Sequence, residues 1–140
     1  MSWTYKGMLF KDEHIPEGAV GFVYMMSAVI GGFSVAYIGK KNFYSNRKTK
    51  LSKKNTPKDK RKKDYKVVVK TDYEKYFSSN ETLKEAHKKG IIIKRDILKI
   101  CYSKNELTYQ EVKHQFLHEV LEKSYFLNGN ILGKFYKGKI

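Results

Sequence analysis

Residues 20–26, VGFVYMM, form an uninterrupted apolar run of β-branched and aromatic side chains, long enough for one central strand. Gly31-Gly32 follows, a dipeptide that accepts φ > 0 at both centres of a two-residue hairpin turn. SVAYIG (34–39) is then the predicted partner strand, ended by Gly39. Further on, Ser79 or Asn80 caps a predicted helix with Glu81 in its first turn, Lys88 and Lys89 in its last, and Gly90 as its stop. The isoleucine-rich IIIKRDILKICY (91–102) predicts a third strand. Residues 103–124 give the longest helical stretch, with Asn105 as N-cap. Its apolar positions Tyr109, Val112, Phe116, Leu117, Val120 and Leu121 recur at three- and four-residue steps. Residues 1–19, closed by Pro16 and Gly18, read as a lead-in with little regular structure, and 125–140 as a short, glycine-punctuated tail. The order β-β-(basic loop)-α-β-α predicts a single α+β domain over 1–140, a three-stranded antiparallel sheet flanked by helices.

Charge changes this picture more than composition does. The chain of 140 residues holds 29 Lys and Arg against 14 Asp and Glu, a formal net charge of +15. A surplus of that size repels itself, so a partner of opposite sign is its simplest reason, with nucleic acid ahead of an anionic membrane surface. No apolar run approaches the ~20 residues of a membrane span. The start of the chain lacks a signal-peptide pattern, which leaves no membrane role. Cys101, the single cysteine, has no internal disulfide partner, so a reducing, cytoplasmic setting is expected.

The cations are concentrated between Arg47 and Lys63, where ten Lys or Arg stand against Asp59 alone. Residues 48–70 therefore read as a basic loop or insertion. Within it Lys48, Lys53, Lys54, Lys60, Arg61, Lys62 and Lys63, with Lys40 and Lys41 just upstream, are candidate nucleic-acid contacts. Lysine-rich and short of aromatics, the block suits phosphates better than base edges.

Four separated stretches together resemble the GIY-YIG nuclease domain. Phe22-Val23-Tyr24 lies where that family's Gly-Ile-Tyr strand falls, and Tyr37-Ile38-Gly39 is intact. Arg47 stands ten residues after Tyr37, where the family carries an arginine on the following helix. Glu111, within YQEVKHQF, corresponds to the family's metal-binding glutamate. YIGKKNF, the SS before the middle helix and the YxExKxQF pattern make the chain most similar to small stand-alone bacteriophage proteins of the Seg homing-endonuclease type, over roughly residues 18–130. The chain also departs from the pattern. The first motif's glycine is missing or shifted to Gly21, Leu51 stands where some members have histidine, and the family's terminal asparagine falls on Asn128 or Asn130, with Asn128 favoured.

The resemblance implies an endonuclease that cleaves DNA with Mg²⁺ (or Mn²⁺) held by Glu111, without a small-molecule cofactor. A single carboxylate with several waters suits that ion, which binds the phosphate and stabilises the leaving 3′-oxygen. Arg47 would pair with phosphoryl oxygens through its planar fork. Tyr24 would take or relay the water's proton, its phenolate favoured by Arg47, Lys40 and Lys41, and Tyr37 would position the water. His114 and His118 share Glu111's helical face, so His114 joins the candidate catalytic set as a proton shuttle or phosphate contact, and Asn128 joins the nucleic-acid contacts. Cutting both strands would take two sites or two visits, from a monomer or a transient dimer. Two rivals accompany this reading: a non-catalytic nucleic-acid binder on the same fold, and a small basic RNA-binding or ribosome-associated protein in which Tyr-Ile-Gly is chance.

Overall fold

The computed structural model describes residues 2–50 and 64–140. The two glycine-joined strands form as predicted and run longer, β3 over Gly21–Ile30 and β4 over Phe33–Asn42. Gly31 and Gly32 take φ of +57° and +83°, the left-handed backbone that a two-residue turn between Ile30 and Phe33 requires. β7 (Lys94–Cys101) pairs antiparallel with β3, and a register shift at Val23/Tyr24 leaves Leu98 as a bulge beside Tyr24.

The predicted three-stranded antiparallel sheet is present but is not the whole sheet. β1 (Trp3–Tyr5) adds parallel to β7 and β2 (Met8–Leu9) adds antiparallel to β1, giving five strands in the order β2-β1-β7-β3-β4. The segment read as an irregular lead-in is thus part of the sheet. Its anchor is Trp3, 2% exposed, whose Nε1 donates to the Tyr73 carbonyl at 2.7 Å.

Both faces of the sheet are covered. On one face Trp3, Phe22, Tyr24, Phe43 and Tyr73 form an aromatic core under α1 (Glu81–Lys88), which contributes Leu83 and Ala86. Asn80 caps α1, its Oδ1 accepting from the amides of Thr82 and Leu83 at 3.0 and 3.3 Å. On the other face Val23, Ile38 and Cys101 pack under α2 (Lys104–Leu117) and the following Val120, Leu121 and Phe126. Gly21 admits α2 closely: a Cβ there would lie 2.8 Å from Leu107 Cδ2 and 2.6 Å from the Lys41 carbonyl.

α2 differs from its sequence reading in two ways. Its N-cap is Ser103, not Asn105. Ser103 Oγ accepts from the Glu106 amide at 3.0 Å, and Glu106 Oε1 reaches back to the Tyr102 amide at 2.7 Å. Its inward face is Leu107, Glu111 and Gln115 at steps of four, while Tyr109, Phe116 and Leu117 are exposed. The helix ends at Leu117, so Val120 and Leu121 reach the core from the turn beyond it.

The described part of the expected basic loop is β-strand. β5 (Tyr44–Lys50) and β6 (Asp64–Lys70) pair antiparallel over seven registered positions, from Tyr44↔Lys70 to Lys50↔Asp64. Val67-Val68-Val69 supplies the β-branched character that favours strand here. A last hairpin, β8 (Asn130–Ile131) with β9 (Phe135–Tyr136), closes the chain.

Candidate active site

β4 is the edge strand, and its free edge decides where a site can form. Residues 125–128 run along it part of the way: the Ala36 amide donates to Tyr125 O at 3.0 Å and the Leu127 amide to Ala36 O at 2.7 Å. At the next outward position, Ile38, an amide side chain replaces the backbone. Asn128 Oδ1 accepts from the Ile38 amide at 3.1 Å, while Asn128 Nδ2 and Gln115 Nε2 both donate to the Ile38 carbonyl, at 2.8 and 3.1 Å. Asn128 is buried, and both ends of its amide serve to hold Tyr37-Ile38-Gly39 in place. Asn128, expected among the nucleic-acid contacts, here braces β4.

Alternation along β4 sends neighbouring side chains to opposite faces, so two sets converge around the edge. Tyr24 pairs directly with Gly39 across the strands. A Cβ on Gly39 would lie 2.6 Å from Tyr24 Oη, 2.8 Å from Tyr24 Cζ and 3.0 Å from Tyr37 Cε1, so only glycine lets both phenols lie over this position. The Tyr24 and Tyr37 ring centroids are 6.3 Å apart. Tyr76 completes the group, its hydroxyl 3.3 Å from that of Tyr24 and the Lys41 ammonium 4.3 Å from its ring centroid. Lys41 also pairs with Asp72 at 3.0 Å.

From the other face α2 brings Glu111. Lys40 Nζ, one turn away, donates to Thr108 Oγ1 at 2.9 Å. Burial raises the Glu111 carboxyl above its ordinary value, with Lys40 pulling it down in part. Burial likewise raises the Tyr37 phenol, a hydrogen bond with Ser79 works against this, and Tyr76 and then Glu111 add to the rise. Glu111 is thus close enough to Tyr37 for its charge to be felt.

The electrostatics bear on one expected role. Burial, followed by the neighbouring Tyr76, pushes the Tyr24 phenol far above the usual tyrosine value, which favours its neutral form. Of the cations expected to favour its phenolate, Lys41 meets Asp72 and Tyr76 and Lys40 meets Thr108, while the Arg47 side chain lies outside the described residues.

Among the described residues no group of three or more His, Cys, Asp and Glu gathers. Glu111 is a lone oxygen donor, half-buried and without a hydrogen bond or ion pair among the described residues. That donor fits a hard cation that keeps most of its waters. His114 lies one turn along, its Nδ1 donating to the Gln110 carbonyl at 2.7 Å, which leaves Nε2 as the ring's other polar atom.

Arg47 lies on strand β5 opposite Val67, not on a helix, and Lys48 lies on the same strand opposite Lys66. The side chains of Arg47 and Lys48, together with Lys53, Lys54, Lys60, Arg61, Lys62 and Lys63, lie outside the described residues. The structure therefore brings together Tyr24, Tyr37, Lys40 and Glu111, with Lys41 beside them.

Sequence reading missed the supports. Arg95, 4% exposed, donates from Nη1 to the carbonyls of Glu74 and Tyr76 at 2.9 Å each and lies between the rings of Trp3 and Phe77, at 4.8 and 4.0 Å. It thereby fixes the segment that presents Tyr76. Ser78 is buried at φ +74°, a left-handed conformation rare outside glycine, and its Oγ accepts from the Asn80 amide at 3.0 Å.

The family described as "Putative endonuclease segE, GIY-YIG domain" matches residues 3–131. The chain belongs to this GIY-YIG nuclease family, and Tyr-Ile-Gly is no chance triplet in an unrelated RNA-binding protein. Searches of the curated proteins and of the solved structures find no match. Among the described residues no helix is long and apolar enough to cross a membrane.

Proposed function

We propose that the chain is a divalent-metal-dependent endonuclease that hydrolyses DNA phosphodiester bonds, of the phage homing or DNA-processing kind, working in the bacterial host's cytoplasm as a monomer or transient dimer. The observation that supports this best is Glu111, a half-buried carboxylate near Tyr37 that has no hydrogen bond or ion pair among the described residues and feels only the charge of Lys40. A fold gains nothing in stability from such a group, and a metal-holding site requires it.

In this reading Glu111 holds Mg²⁺, which when bound supplies positive charge to the phosphoryl and leaving 3′-oxygens. Lys40 and Arg47 add charge on the remaining phosphate oxygens, Arg47 through two parallel donors. Tyr37, half-buried and protonated, donates a hydrogen bond to the attacking water or to a phosphoryl oxygen. Tyr24, protonated and in contact with Tyr76, holds Tyr37 in its rotamer and offers a second donor. His114 Nε2 stands one helical turn away as a proton acceptor. The rival reading, a non-catalytic binder on the same fold, gives a half-buried carboxylate without a hydrogen bond among the described residues no role of its own.

The test is cleavage of supercoiled plasmid with Mg²⁺ by wild type, Glu111→Ala, Arg47→Ala and Lys60→Ala. Loss of cutting in the first two variants, and only a salt-sensitive weakening in Lys60→Ala, is the expected result. Salt-sensitive binding without cutting, across several metals and DNA forms, would transfer the conclusion to the non-catalytic binder.

A further inference from the structure

Among the described residues the β5–β6 ribbon packs against no other strand or helix, and apart from Lys70 at its base, which pairs with Asp12 and Glu74, its described side chains make no ion pair with the body. Beyond each other, its strands make no more than marginal contact with any helix or strand, and the base is tied to the body by the Thr71 amide donating to Phe43 O and Thr71 Oγ1 donating to Asn42 O, at 2.9 and 2.6 Å. An isolated two-stranded hairpin is marginal in water, so one retained at this length calls for a surface to lie against. Seven registered positions span roughly 23 Å at strand rise, and a two-stranded ribbon is one of the two elements that the ~12 Å major groove of B-DNA admits.

Its chemistry agrees. The two strands carry Arg47, Lys48, Lys50, Lys66 and Lys70 against Asp64 alone. Register places Asn46 opposite Val68 and Lys48 opposite Lys66. Val68 is 66% exposed, an apolar position set among cations as contact with a thymine methyl requires. Asn46 and Arg47 are of the residue types that pair with adenine and guanine edges in that groove. A polar cleft of about 600 Å³ lined by Lys40, Lys41, Ser45, Lys70, Thr71 and Asp72 joins the ribbon's base to the candidate active site. Three of its lining residues, Lys40, Lys41 and Lys70, are cations, Lys41 paired with Asp72 and Lys70 with Asp12 and Glu74, and they border a path for one strand's phosphates between the two.

We propose that the β5–β6 ribbon enters the major groove of duplex DNA and reads sequence there, while the Lys40–Lys41 cleft carries the adjoining phosphate backbone to Glu111. This rests on the endonuclease reading and narrows its substrate to B-form duplex. The deep, narrow major groove of A-form RNA excludes such a ribbon.

Binding measured in EDTA tests it without reference to cutting, so a chain that binds this way but never cleaves would sink the endonuclease reading and leave the ribbon's role intact. Fluorescence anisotropy with a 30-base-pair DNA duplex would compare wild type, Val68→Glu and Val29→Glu. Val29 is an exposed valine of the main sheet, so it receives the same chemical change away from the ribbon. Expected results are a loss of at least ~10-fold for Val68→Glu and less than ~2-fold for Val29→Glu. Displacement by the major-groove ligand methyl green but not by netropsin is expected as well, with at least ~10-fold weaker binding to duplex RNA of the same sequence. Lys48→Ala/Lys66→Ala should lower the slope of log affinity against log salt by about 2. Equal losses in the two glutamate variants, displacement by netropsin alone, or equal affinity for duplex RNA would each overturn the proposal.

Discussion

The two faces that meet at the edge of β4 treat their polar groups differently. On the aromatic face the large polar side chains are matched: Trp3 donates to Tyr73 O, Arg95 to Glu74 O and Tyr76 O, and Tyr24 meets Tyr76. On the α2 face Gln115 and Asn128 are spent on Ile38, but Glu111, on the same inward stripe, is left without a partner among the described residues. Matched buried groups brace a structure, whereas a half-buried carboxylate without a partner costs stability. The difference separates what positions the site from what would do its chemistry.

The largest expected effect comes from supplying the amide that the fold would prefer. Glu111→Gln should reduce plasmid cleavage by on the order of 10²–10³-fold, the scale of losing several kcal/mol of charge stabilisation. The same change should raise the melting temperature at pH 7. Because burial raises the folded-state carboxyl, wild-type stability is fully present below its unfolded value near ~4.3 and falls as pH rises through the raised folded value. Glutamine abolishes that loss.

Gly39→Ala should come next, costing about 1–3 kcal/mol and most of the activity, since its Cβ overlaps Tyr24 Oη. Urea unfolding and cleavage should fall together, and restored cleavage in Gly39→Ala/Tyr24→Phe would show that the clash lies at the hydroxyl. Asn128→Ala should cost about 1–3 kcal/mol by unpairing the Ile38 amide. Cleavage per folded molecule should then change little. A loss of DNA affinity beyond the loss of folded protein would return Asn128 to the binding surface. Smallest is the acid response of the N-terminal segment. Lys70 and Tyr73 hold Asp12 at about 2, below its usual value, so its contribution is present above ~4 and lost as pH falls toward 2. Asp12→Asn should flatten the melting temperature over that window.

How far the sequence led depended on whether each signal was local. The β3–β4 hairpin was legible because Gly31-Gly32 sits between two apolar strands, and α1 because Asn80 and Gly90 mark its ends. The Ser103–Glu106 capping pattern was equally local and was passed over for Asn105. β1 was missed because three residues carry no periodicity, and its strand character comes from pairing with β7 some ninety residues on. The face of α2 was misread because Gln115 and Glu111 turn inward against their polarity, Gln115 to the Ile38 carbonyl and Glu111 to a half-buried position within reach of the Lys40 charge. Tyr24, Tyr37 and Glu111 were singled out through their motifs. Tyr76 and Arg95 were not, since only the folded aromatic face gives either a purpose.

Glu111 is proposed as the carboxylate that holds the metal, and thermal melting against Mg²⁺ concentration tests this most directly. Wild type should rise with Mg²⁺ as a ligand bound only by the folded state requires, and Glu111→Gln, though more stable at the outset, should stay flat. Equal Mg²⁺-dependent shifts in both proteins would place the metal elsewhere and contradict the account.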